Sequence, residues 1–296
     1  MAESDFTKKG YSLIIDGKYY NTLDIESFSM MMKDPSYCYK FYWLEAIVQL
    51  ISEDIRETTF DAIIDEMICN AWYSVREFHI HLSGIQLDGQ VRDGLERAVL
   101  LLTGLSDLPA NASKVEIKNA IAEHNSELKT YKEQLTNMVP YRALAGFFNK
   151  SSETADWGSV RRMTAYIERI NRHAVLLPYI LGEESKLKKK VYFQDAWVEM
   201  IQDQTVSILG WIQYEKVKWL QNNNPEVPGL IYKLAPMDEK MRKLNNVRKL
   251  WEGILDVREI KDVFTGEPVV LKQYDVDHFI PHFLSDLQKI SLLCIS

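Results

Sequence analysis

The stretch YDVDHFIPHF at residues 274–283 sets a carboxylate and an imidazole side by side, at Asp277 and His278. An imidazole, with an unperturbed pKa of about 6.5, can accept a proton at neutral pH, and a carboxylate oxygen is a ligand for a hard divalent cation. The same dipeptide also serves simply to finish a strand and cap a turn, so its surroundings decide its chemistry. Other catalytic signatures are missing: the chain has no GxxxxGK[ST] phosphate loop, no GxGxxG, no HExxH and no GxSxG. His79 and His81 stand two apart and would share a face only on a strand. Without a nearby Cys, Asp or third His, they read as surface or capping histidines. Cys38, Cys69 and Cys294 are dispersed and form no CxxC pair, so they suggest reduced thiols and neither a disulfide framework nor a zinc site.

Two basic segments have the charge to meet a phosphate backbone. In SVRRMTAYIERINRH, Arg162, Arg169 and His173 fall close to one helical line and Arg161 and Arg172 on a neighbouring one. The second segment, KMRKLNNVRKLW, supplies Lys240, Arg242, Lys243, Arg248 and Lys249. Each is either a phosphate contact or a solvated helix face balanced by nearby acid. The formal net charge of −7 makes any nucleic-acid contact a local one, because the chain as a whole is not coated in positive potential. The lysines between 186 and 190 read as a flexible, solvated loop.

The elements that must position these residues are mainly helical. With 296 residues and 46% hydrophobic content the chain is able to bury one large core or two modest ones. YSLIIDGKYY predicts a small N-terminal hairpin turning at Asp16-Gly17. From residue 37, Phe41, Leu44, Ile47, Val48 and Ile51 recur at helical spacing amid aromatic residues, which predicts a helix buried on most sides. Thr58 or Thr59 caps the next helix, whose apolar stripe is Phe60, Ile63, Ile64, Met67, Ala71, Trp72 and Val75. Further helices are predicted over 90–103, 114–136, 157–175 and 192–221, separated by clusters of Gly, Pro, Asn and Ser. After Trp251 the pattern changes to short β-prone runs around a turn at Gly266 to Pro268, a second small hairpin whose outgoing arm carries Asp277 and His278. No run approaches the length of a membrane span, and the start MAESDFTKKGYSLII lacks the basic-then-apolar order of a secretory signal, so a soluble cytoplasmic protein is expected.

An Asp-His pair at a strand end, followed by Phe279-Ile280-Pro281 and preceded by the FTGEP turn, resembles the ββα-metal motif of the His-Asn-His, or HNH, endonucleases. The likeness extends upstream. SYCYKFYWLEAI, VPYRALAGFF and GWIQYEKVKWLQNNNPEVPGLIYKL look like blocks of the helical N-terminal region of bacterial HNH endonucleases of restriction or defence type, and together these cover most of the chain.

The resemblance implies metal-dependent hydrolysis of DNA phosphodiester bonds, with His278 as general base and Asp277 as ligand to Mg²⁺ or a similar cation. It implies a helical domain over 1–255 and a partial HNH domain over 256–296. DNA is the implied partner, with a homodimer suited to cutting both strands and no membrane partner. Where many HNH proteins carry a first zinc-binding CxxC, this chain has Phe264, Thr265 and Gly266, so no structural zinc is expected. The segment HFLSDLQKISLLCIS brings neither the family's middle Asn nor a further His after His282, which itself reads as a packing or surface residue. Leu284, Leu287 and Ile290 are spaced for a short helix. The expectation is therefore a chain that stops within its HNH domain, through a premature stop, a frame change near Phe283 or a natural shortening, with impaired catalysis. The alternative is a non-catalytic helical module that binds nucleic acid or a protein.

Overall fold

The computed structural model describes residues 13–32, 38–83, 91, 93–147, 159–171, 177–236, 245–261, 266, 268–269, 276–278 and 293–295. The chain divides into two compact units, Met1–Asn224 and Pro225–Ser296.

The first unit is mainly helical. Its helices are α1 (Ile25–Met30), α2 (Tyr39–Ser52), α3 (Phe60–Phe78), α4 (Gly94–Leu105), α5 (Lys114–Glu123), α6 (Asn125–Thr136), α7 (Val139–Arg142), α8 (Val160–Asn171), α9 (Asp195–Asp203) and α10 (Thr205–Asn223). Interleaved with them are strands β1 (Glu57–Thr59), β2 (Tyr179–Leu181) and β3 (Lys190–Phe193). α2 lies at the centre, packed against α3, α7, α9 and α10. Its sequence explains that position: Phe41, Tyr42, Trp43, Ala46, Ile47, Val48 and Ile51 leave almost no polar face, so the helix is stable only when surrounded. α3 begins where Thr59 Oγ1 accepts the Ala62 N–H at 3.2 Å, which satisfies one of the amides a helix start leaves open. Every member of the predicted stripe from Phe60 to Val75 is buried.

Three short strands form an antiparallel sheet in the order β1-β3-β2, with Thr58 opposite Val191 and Ile180 opposite Tyr192. An aromatic post joins this sheet to the helices. Trp43 Nε1–H donates to Tyr179 Oη at 3.2 Å, Tyr179 O–H donates to the Pro140 carbonyl at 2.5 Å, and Phe60 meets Trp43 edge-on at 5.6 Å.

Four expectations need correction. Asp16-Gly17 makes no hairpin: Asp16 has φ −55° and its side chain accepts the Lys18 N–H at 2.9 Å, capping a 3₁₀ turn over Gly17–Asn21. A type I′ hairpin needs positive φ at both central residues, and this local cap outcompetes it. The predicted 192–221 helix starts later, because Val191, Tyr192 and Phe193 belong to β3, and it breaks between Asp203 and Thr205. The 114–136 segment is likewise two helices meeting at His124. The lysines of 186–190 are not a free loop. Lys186 Nζ pairs with Glu133 at 2.7 Å, Lys190 Nζ with Glu57 at 2.5 Å, and the buried Lys189 donates to the Gly182 carbonyl at 3.1 Å.

In the second unit α11 (Asn245–Leu255) precedes a turn in which Gly266 has φ +71°, a conformation that favours glycine. The Lys261–Pro268 bridge and the Val269 N–H to Ile260 carbonyl bond of 2.9 Å close that turn at the predicted place. Strand β4 (Val276–His278) pairs antiparallel with β5 (Leu293–Ile295). Among the described residues no helix is long and apolar enough to cross a membrane.

Candidate nucleic-acid interface and Asp-His pair

Asp277 and His278 are the last two residues of β4, in register with Cys294 and Leu293 of β5. The sequence placed the pair on a strand, and it is on one. The described partner of that strand is Leu293–Ile295, where no strand is predicted from the sequence. Leu284, Leu287 and Ile290, which are spaced for a short helix, and His282 lie outside the described residues.

Of the arginines expected to meet phosphate, Arg161, Arg162 and Arg169 are all exposed on α8. Met163 and Ile167 occupy the opposite side of the helix and are buried, where α8 packs on β2 and α7. This amphipathic division makes the basic face solvent-facing by geometry as well as by composition. The guanidinium of Arg169 stands over the Tyr166 ring at 5.5 Å, so the face includes an aromatic. Arg172, Lys240, Arg242 and Lys243 lie outside the described residues. Arg248 falls within α11, next to the exposed Lys249 and Leu250.

The structure also gathers polar side chains that sequence reasoning did not bring together. Lys132 is almost wholly buried, and its Nζ lies 2.6 Å from Asp61 Oδ1, 2.6 Å from Asp65 Oδ1 and 3.1 Å from Asn125 Oδ1. Asn125 accepts a hydrogen bond from the ammonium, and the two carboxylates pair with it by charge. Burial raises the Asp65 carboxyl to about 6, against the opposing pull of Lys132. On the same helix, Glu66 pairs with Lys114 at 2.6 Å and with Lys118. Glu45 pairs with Lys216 at 2.8 Å and accepts from Gln213, while the Lys216 ammonium sits 4.6 Å from the Tyr42 ring centre.

A fourth group centres on Glu96, whose two oxygens take His81 Nδ1 at 2.8 Å and the Leu82 N–H at 2.7 Å. Asn224 binds the same loop twice, accepting the His81 N–H at 2.8 Å and donating to the His81 carbonyl at 3.0 Å. His81 is therefore a partner of Glu96, and His79 the left-handed cap of α3 with φ +52°.

These carboxylates already have cationic or amide partners, which suits them to holding helices together and leaves them poor candidates for capturing an ion. Among the described residues no group of three or more His, Cys, Asp or Glu is placed to hold a metal. Comparison with known proteins adds no relative: no family model, no curated protein and no solved structure matches this chain.

Proposed function

We propose that the chain is an HNH-type nuclease whose Asp277 and His278 are the site for hydrolysis of DNA phosphodiester bonds, with activity impaired because HFLSDLQKISLLCIS supplies neither the family's middle Asn nor a further His. The observation that carries this reading is the position of the pair at the end of β4, within an antiparallel ladder and downstream of the Gly266 turn. His278 accepts the proton of the attacking water, a role an imidazole can fill at neutral pH. Asp277 is the carboxylate donor for Mg²⁺, a fit for a cation that commonly takes one or two carboxylates and completes its shell with phosphate and water. When bound, such a cation neutralises charge on the phosphate and the departing oxygen.

The test is nicking of supercoiled plasmid with Mg²⁺ or with EDTA. Cleavage that needs the metal and is abolished by His278→Ala supports the assignment. Cleavage that survives His278→Ala removes the base from His278.

A second reading rests on the basic face of α8: the helical unit binds nucleic acid without cutting it. Salt-sensitive DNA binding with no metal-dependent nicking favours this reading.

A further inference from the structure

The outer side of α4 carries leucines where a solvent-facing helix normally carries charge. At about 100° per residue, Leu100, Gly104, Arg97, Leu101 and Leu105 fall within an arc of about 140°. The buried Leu95, Ala98, Val99 and Leu102 point the other way, where α4 packs on α3 and α6. Leu100 and Leu105 are exposed, Leu101 is half-buried, and no charged residue occurs from Ala98 to Ser106. Opposite charges stand at the two ends of this face. At the start, the Arg97 guanidinium lies 4.6 Å over the Tyr131 ring and gives one N–H to the Tyr131 hydroxyl at 3.3 Å, which orients the group and leaves it further donors. At the other end Asp107 is exposed, two residues past the helix. Between them Gly104 makes a notch. A Cβ built there would meet nothing within 4 Å, and its φ is not positive, so neither packing nor backbone within the chain requires a glycine at a position where alanine is the better helix former.

We propose that α4 is the contact between two copies of this chain, crossing antiparallel about a two-fold axis, with Leu100 of each copy in the notch over Gly104 of the other and Arg97 of each paired with the other's Asp107. The spacing selects a second copy as the occupant. Arg97 stands as far before Leu100 as Gly104 stands before Asp107, so the helix reversed against itself brings each member opposite its complement. The contact is then made twice over, as an isologous interface requires. A parallel arrangement would set Arg97 beside Arg97 and Asp107 beside Asp107, and juxtaposed like charges disfavour it. The antiparallel crossing also withdraws Leu100, Leu101 and Leu105 from water. One helix from each copy makes a small interface, so the dimer is weak, with a dissociation constant in the micromolar range or above. The inference does not depend on the nuclease reading.

The test is analytical ultracentrifugation of the full chain over about 1–200 μM at low salt. The expected result is an average mass that climbs from one chain towards two as concentration rises. Leu100→Asp should weaken association about tenfold or more while leaving the thermal melt in place, because the side chain is on the exposed arc. Arg97→Glu and Asp107→Lys should each weaken association when alone, since each sets like charges against each other. An equimolar mixture of these two variants should associate again: the two altered positions then face each other with opposite charge, as do the two unaltered ones. Recovery in the mixture also shows that both variants are folded. A single-chain mass throughout the range, as expected if the face serves a different protein, would overturn the proposal. So would unchanged association of a folded Leu100→Asp variant, or a mixture that associates no better than its components.

Discussion

Lys216 Nζ lies 2.8 Å from Glu45 Oε2 with both side chains almost completely removed from water, so α2 and α10 meet through an ion pair inside the core. Removing one partner leaves the other charge buried and uncompensated. Lys216→Met is expected to cost about 3–5 kcal/mol, whereas Lys216→Met combined with Glu45→Leu should recover much of that loss. Urea denaturation of the two variants, compared as a double-mutant cycle, checks this.

Asp65 gives the fold a pH dependence of definite sign. Its carboxyl titrates at about 6 in the folded chain because burial disfavours the ionised form, above the unfolded value of 3.8. Its contribution is therefore fully present below 3.8 and is lost as pH rises through 6. The stability difference between wild type and Asp65→Asn should fall by up to about 3 kcal/mol between acidic and neutral pH. Denaturation curves for both proteins at pH 4 and pH 7.5 measure it.

The Tyr179 hydroxyl connects Trp43 to the Pro140 carbonyl inside the aromatic post. Tyr179→Phe keeps the ring but leaves an indole N–H and a carbonyl without that partner. A loss of about 1–3 kcal/mol is expected, with an altered near-ultraviolet dichroism signal from the aromatic core.

Gly146 lies against the end of α1: a Cβ added there would meet the Ser27 carbonyl oxygen and come within 2.8 Å of Met31 N. Both obstacles are backbone. Gly146→Ala should destabilise the fold by about 1–3 kcal/mol, and faster amide exchange should concentrate in α1 and the 3₁₀ turn Ala143–Phe147 that it packs against.

Asn224 substitutes its side-chain amide for a strand partner, making two hydrogen bonds with the His81 backbone. Asn224→Ala should unfix the loop after α3 and speed exchange of the His81 amide well beyond that of amides in α2. Hydrogen exchange read by mass spectrometry or NMR decides whether the clamp is local.

The helices were legible where burial imposes a period. α2 and α3 announce themselves through continuous apolar faces, and Thr59 marks the start of α3 by its capping chemistry. The three-stranded sheet was hidden because its strands span three or four residues and pair across long stretches of chain, so no local pattern identifies them. The buried lysines were hidden for a related reason: Lys132 and Lys216 read locally as solvated positions, and only tertiary packing supplies their carboxylates. At the Asp-His pair the strand was legible from its β-prone residues, but its pairing with Leu293–Ile295 depended on contacts that helical spacing in the intervening segment does not encode.

The sheet order β1-β3-β2 puts the last strand to be synthesised in the middle. Thr59 and Lys190, which face each other across it, are separated by 131 positions (190 − 59). On a ribosome adding about 5–20 residues per second, the first strand waits roughly 7–26 seconds for its neighbour to be made. During that interval the edge of β1 is an unpaired template, covered by whatever helices emerge meanwhile. The centre of this sheet is thus a late event in the life of the chain, and a chaperone that shields residues 57–59 during synthesis would act on the step most exposed to mispairing.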